Sequence, residues 1–278
     1  MPHHPHHPPH HRPEPVPDPP APTPAPVTPP PVTPPPVSPT PAPVSPTPAP
    51  AGGFKFADEF AGAAGSPPNP ANWAPQTGGP GAFGNNETEN YTSSAENAYI
   101  DGDGHLVIAV TSDGSGGFNS ARLGSVYTSP QAASTWEASI ALPNEAGCWP
   151  AWWWLGRGQW PGCGECDGVE GYGTGYADGT LWNSTATASQ NGRCPADAVD
   201  GKFHIYRMVQ SEGSIVLYCD DVLYAAATSS DLTPWPFDDN GGFYCLLNIA
   251  TNGTGTGGVS PAVSAMPVKM LVDFVHCW

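Results

Sequence analysis

Trp149-Pro-Ala-Trp-Trp-Trp-Leu-Gly-Arg-Gly-Gln-Trp160-Pro-Gly-Cys-Gly-Glu165-Cys-Asp167-Gly-Val-Glu170-Gly-Tyr172 sets five tryptophans within twelve residues directly ahead of three carboxylates within six. Read as an extended strand, alternate side chains share a face, so Glu165 and Asp167 point together and Cys166 points away. Glu170 falls out of phase with both. One extra residue, a β-bulge at Gly168, returns it to their face. A solvated edge strand with incidental acids is the rival reading. The tryptophan-rich flank argues instead for a buried strand, where unpaired carboxylates are costly. Acids lining a wet cleft satisfy both demands.

Outward from this stretch, the chain from Phe54 alternates short apolar runs with Gly, Asn, Asp, Ser and Pro clusters. Strands are expected at His105–Thr111, Thr135–Leu142, Ala151–Leu155, Gly164–Glu170, Thr180–Thr187, Phe203–Gln210, Ser214–Cys219, Phe243–Ala250 and Val268–His276. No long run of helical period interrupts them. Many short strands between glycine and proline turns predict an all-β jelly-roll sandwich, with one sheet curved into a concave cleft. The Gly/Thr-rich stretch Thr251–Ser260 reads as plastic.

Residues 1–53 are of another kind. Of the 38 prolines, 24 fall in the first 50 residues, which hold no glycine, aromatic or cysteine. Such a segment cannot bury a core and is expected to be a disordered tail and polyproline spacer ahead of a folded domain at 54–278. Six of the nine histidines sit in residues 2–12, where a solvated low-complexity segment outweighs metal binding. The Pro/Thr/Ser repeats suit a secreted or wall-associated protein, although no signal peptide is visible.

The net charge of −17 excludes nucleic acid and anionic membrane surfaces as partners. No apolar run is long enough for a membrane span. With only 12% of residues charged, the expected partner is a neutral polar molecule met by aromatic faces and hydrogen bonds. The seven cysteines are an odd number, so at least one is unpaired or bridges chains, and Cys163-x-x-Cys166 has no second pair to complete a zinc site.

Three acids in a wet cleft fit glycoside hydrolysis, which needs one carboxylate as nucleophile and one carboxylic acid as proton donor. Crowding of negative charge keeps one member protonated near neutral pH. Tryptophan faces offer flat surfaces for sugar rings, and no cofactor is required.

The pattern E-x-D-x-x-E behind W-P-A-x-W and W-P-x-C-G resembles glycoside hydrolase family 16, in its laminarinase-like branch of endo-β-1,3-glucanases. Weaker matches follow in the family's order: Asp58-Glu-Phe60, Gly84-Asn-Asn-Glu87, Ser120-Ala-Arg122, Asp231 to Phe237, Phe243 to Ala250, and Leu271 to Val275. The resemblance implies a monomeric retaining endo-glycosidase acting on internal β-1,3 or mixed β-1,3/1,4 glucan linkages through a covalent glycosyl-enzyme. Glu165 is then the nucleophile, Asp167 its assisting acid and Glu170 the general acid/base. Trp160, Trp149, Asn86 and Arg122 are expected to line the non-reducing side. By analogy with relatives, Asp273 with backbone oxygens of Glu59 and Gly102 would hold a structural calcium. The chain departs from the pattern at Trp182 (commonly histidine), Gln210 (commonly tryptophan), His276 (commonly arginine) and the small motif interior Cys166-Gly168-Val169. These departures leave open a catalytically weak carbohydrate-binding domain on the same fold.

Overall fold

The computed structural model describes residues 45–48, 50–130, 133–183, 185, 188–238 and 241–278. The chain divides between Ala42 and Pro43, and every described residue belongs to the second unit. The histidine-rich start and most of the proline repeats lie outside the described residues.

The described elements are β1 (Phe56–Asp58), β2 (Trp73–Pro75), β3 (Asn90–Tyr91), β4 (Ala98–Ile100), β5 (Leu106–Ser112) and β6 (Phe118–Ser120). Next come β7 (Arg122–Ser125), β8 (Ala133–Ala141), β9 (Cys148–Gly156), β10 (Glu165–Gly171), β11 (Ala177–Trp182) and β12 (Ala188–Arg193). The last are β13 (Phe203–Ser211), β14 (Ser214–Cys219), β15 (Val222–Thr228), β16 (Phe243–Thr251) and β17 (Val268–Cys277). One sheet runs β15-β14-β13-β8-β17-β5-β6-β3, with β1 added on β17 and β4 on β5; the other runs β12-β11-β10-β9-β16-β7-β2. Pairing is antiparallel apart from β3 with β6.

The expected all-β sandwich is what forms. Trp136, Ile140, Met208, Leu217 and Met270 of the first sheet pack with Trp152, Trp154, Val169, Leu181 and Leu247 of the second in one buried core. These are alternate residues of their strands, so each strand puts one side chain set inside and leaves the other for solvent or for a site.

The longer strands lie where alternation and β-branched residues place them. The strand expected at Thr180–Thr187 instead spans Ala177–Trp182. Its start was hidden by Asp178 and Gly179, poor strand formers. Gly179 is held there because an added Cβ would lie 2.6 Å from the Tyr224 ring. β12 is polar and β15 rich in alanine, and β1–β4, β6 and β7 are too short to show a period. The folded unit also takes in residues ahead of Phe54. The Thr47 backbone N–H donates to Glu137 Oε1 at 2.9 Å and its hydroxyl donates to Oε2. Arg207 Nη1 donates to the same Oε2 at 3.1 Å, so a buried carboxylate and not an apolar patch ties this stretch down. All seven cysteines are buried and unpaired.

Candidate active site

β10 lies between β9 and β11, and its pairing with both shifts register between Asp167 and Glu170. Asp167 faces Trp153 and Thr180, whereas Glu170 faces Ala151 and Asp178, which leaves one surplus residue on β10. The bulge expected at Gly168 is therefore present, and it turns Glu170 back to the face of Glu165 and Asp167. Only glycine fits at its first position: an added Cβ would sit 2.4 Å from Cζ3 of Trp154 and 3.0 Å from the Trp152 carbonyl oxygen. The small interior of the motif is thus matched by the large Trp154 indole beneath it.

On β9 the same alternation sorts four tryptophans. Trp152 and Trp154 are wholly buried in the core, while Trp149 and Trp153 face out. Together with Trp160, Trp182, Arg122 and the three acids they line a groove of about 660 Å³. Sequence reasoning had not assigned Trp153, Tyr172 or Asn248 to the site. Trp153 Nε1 donates to Asn248 Oδ1 at 2.8 Å, and Asn248 Nδ2 donates to Tyr91 Oη at 3.0 Å. Strand parity alone, counted from Glu165 across to Leu155 and Trp153, would have found Trp153.

Each acid is held by an indole. Trp149 Nε1 donates to Glu170 Oε1 at 2.7 Å, and Tyr172 Oη donates to Oε2 at 3.1 Å. Trp182 Nε1 donates to Asp167 Oδ2 at 2.8 Å. Trp160 bonds Glu165, which also shares a hydrogen bond with Asp167. Asp167 and Glu170 are only 3% and 8% exposed. Burial, followed by the charges of Glu170 and Glu165, pushes Asp167 well above the usual carboxylate range. Burial also lifts Glu165, against the bonds from Asp167 and Trp160. For Glu170, burial outweighs the bond from Trp149, and with the charge of Glu165 it raises the carboxyl to about 7. Burial and mutual repulsion thus lift all three carboxyls, and Glu170 is brought into the neutral range.

The sequence profile described as "Glycosyl hydrolases family 16" matches residues 85–244, more than half the chain and all three acids. The chain belongs to this family. A crystal structure of an endo-1,3-beta-glucanase from Streptomyces sioyaensis is 33% identical, with a TM-score of 0.74 over 84% of this chain and 98% of that one. The laminarinase from Rhodothermus marinus is 30% identical, with a TM-score of 0.71 over 81% of this chain and 96% of that one. Glucan endo-1,3-beta-glucosidase A1 of Niallia circulans is 28% identical over 76% of this chain. The chain spans about a third of that curated relative's length (33%).

Trp160 stands 46% exposed at the groove, and Trp149 and Arg122 also line it. Arg122 is stacked between Phe83 at 4.5 Å and Trp153 at 4.6 Å, with Nε donating to Gln76 Oε1 at 2.7 Å. Asn86 is the exception: it is exposed away from the lining, and Asn85 takes that place. Both residues are left-handed (φ 55° and 57°), and this tight turn brings the earlier of the two to the groove. The stretch read as plastic is pinned over Trp149. Thr254 N donates to Asn85 O at 2.7 Å, and a Cβ on Gly255 would sit 2.8 Å from the indole. Gly253 and Gly255 serve close approach, whereas Gly257 and Gly258 take left-handed turns in open space.

Of the other departures, Gln210 is satisfied locally, whereas His276 keeps one buried ring nitrogen, Nδ1, without a partner among the described residues. Gln210 Nε2 donates to Phe237 O at 3.0 Å. His276 pairs with Glu59 at 2.6 Å and is stacked between Phe54 and Phe274. For the calcium expectation, register brings the three residues to one end of the larger sheet. Glu59 follows Asp58, paired with Val275; Asp273 follows Val272, paired with Leu106; and Gly102 lies just past Ile100, also paired with Leu106. One carboxylate and two carbonyls would be an all-oxygen set of the kind calcium takes.

Proposed function

We propose that this domain is a retaining endo-glycosidase acting on internal β-1,3 linkages of neutral β-glucan, with mixed β-1,3/1,4 chains as secondary substrates. The observation that carries the reading is the Gly168 bulge, which gathers Glu165, Asp167 and Glu170 on one groove face. The Glu165 carboxylate attacks the anomeric carbon as the glycosidic bond breaks, and Glu170 gives its proton to the departing oxygen. Water then attacks the glycosyl ester, Glu170 takes back a proton, and Glu165 leaves as carboxylate. Asp167 steadies Glu165 through their shared hydrogen bond.

A chain-like substrate follows from the groove's reach. Its lining residues come from β11, β10, β9, β16 and β7, a span of about 19 Å at ~4.8 Å per strand, enough for several sugar rings. Neutrality follows from Arg122, the one cation in the described lining, whose guanidinium is already committed to two rings and Gln76. A sulfated or uronic chain would meet acids with no free cation to answer it. Trp160, Trp149 and Asn85 would support the non-reducing side. A calcium held by Asp273 with the carbonyls of Glu59 and Gly102 belongs to the same proposal as a purely structural ion, and a monomer working outside the cell fits the acidic surface and the proline-rich lead. No described helix is long and apolar enough to cross a membrane.

Release of new reducing ends from laminarin, compared with lichenan and agarose, tests the reading. Activity on laminarin is expected to fall by about three orders of magnitude or more in Glu165→Gln, which keeps shape and removes the nucleophile. No release by the wild-type chain above that control would end the hydrolase reading.

A further inference from the structure

Trp182 stands on β11 directly across from Glu165, so both side chains face the groove. Its Nε1–H reaches diagonally to Asp167 Oδ2 at 2.8 Å. An indole can only donate and does not titrate, so this bond persists at every working pH. It is also best made to an unprotonated oxygen. The carboxyls of Asp167 and Glu165 meet in a mutual hydrogen bond, which takes one proton between them. With Oδ2 occupied by the indole, the proton belongs on the other oxygen of Asp167. Among the described residues Trp182 is the indole that donates to Asp167: of its two cross-strand neighbours, Trp153 has its N–H committed to Asn248, and Thr180 makes no side-chain hydrogen bond to it.

We propose that Trp182 is a positioning residue, a fixed donor that orients the Asp167 carboxyl so that its single proton is presented to Glu165. The inference rests on the hydrolase reading for its catalytic consequence, but the hydrogen bond itself does not. Losing the donor frees Asp167 to turn and to carry its proton on either oxygen. Glu165 then loses part of the bond that holds its carboxylate form, and a higher pH is needed to ionise it. The groups facing the pair are Glu170 on β10 itself, Tyr172 just beyond it, Trp182 and Thr180 on β11, Trp153 on β9, the Trp160 indole, and the more distant Arg122 on β7.

Two measurements on the folded chain test this. The first is the pH dependence of laminarin hydrolysis by wild type, Trp182→Phe and Trp182→His. Phenylalanine keeps a ring in the groove and removes the donor; histidine restores an N–H. Trp182→Phe is expected to lose about tenfold or more in kcat with KM within about twofold, and its acid limb is expected to move up by about half a unit or more. Trp182→His is expected to recover a substantial part of both. A Trp182→Phe enzyme with wild-type kcat and acid limb, or one no better rescued by histidine, overturns the proposal. The second reads the indole N–H by heteronuclear NMR and needs no activity. The signal absent from Trp182→Phe is expected to move to the position of an unbonded indole in Asp167→Ala; if it stays in place, the bond does not exist. An inactive wild type that keeps this signal counts against the hydrolase reading and leaves the hydrogen bond standing.

Discussion

The two faces of β9 carry the same residue in the same strand and use it in opposite ways. Trp152 and Trp154 turn inward, with the Trp154 ring under the Gly168 bulge; Trp149 and Trp153, an odd number of residues from them along the strand, turn to the other face. Inside, the indole serves as volume: Nε1 of Trp154, like that of its neighbour Trp136, has no hydrogen-bond partner among the described residues. Outside, the N–H is what matters. Trp149 donates to Glu170, Trp153 to Asn248 and Trp182 to Asp167. The core accepts an unsatisfied N–H for the sake of a large apolar ring, whereas the groove uses tryptophan as a non-titrating donor that holds an acid and still leaves a flat face on the groove.

Substitutions that treat the two faces alike should separate them. The largest effect is expected from Trp154→Ala, which empties the space beneath the bulge and costs about 3–5 kcal/mol, read as a fall in the denaturation midpoint. A stable Trp154→Ala protein would show that the core face is not packed as described. Gly168→Ala comes next. Its Cβ meets the Trp154 ring at 2.4 Å, so about 1–3 kcal/mol of stability and most activity should be lost together. Loss of stability without loss of activity would mean that the bulge does not set the position of Glu170.

On the outer face the expected readout is pH. In the role proposed for Glu170 as general acid it must be protonated, so activity should fall as pH rises through about 7. The Trp149 bond favours the charged form, and Trp149→Phe removes it. The basic limb should therefore move upward, by about half to one unit, with the denaturation midpoint nearly unchanged. Tyr172→Phe removes the lesser of the two bonds to Glu170 and should move the same limb in the same direction by less. A downward shift in either variant would mean that Glu170 is not the group titrating there. The smallest effect is expected from Trp154→Phe. It keeps a ring in the core and discards an N–H without a partner, so pH profile and turnover should match wild type and only packing should change.

Much of this site could be read in advance, because it is local. Glu165, Asp167 and Glu170 lie on one strand, alternation is a property of extended backbone, and a glycine two residues before the last acid marks where the phase could be reset. Asn86 shows where local reading stops: two successive left-handed residues decide which asparagine faces the groove, and a sequence does not display φ. The 251–260 stretch shows it again, since glycine for flexibility and glycine for close approach look identical until Trp149 is seen beneath Gly255. Thr47 was assigned to the spacer by composition, yet its partner Glu137 is 90 residues away.

The sequence by itself determined the acid constellation, the two-faced strands, the sandwich class and the acidic, cation-poor character of the surface, all of which follow from short-range backbone geometry and composition. Only the tertiary structure decided which indole meets which acid. Trp149, Trp160 and Trp182 reach β10 from different segments of the chain, and the hydrogen bonds that sort the three carboxyls exist only once β9, β10 and β11 lie side by side.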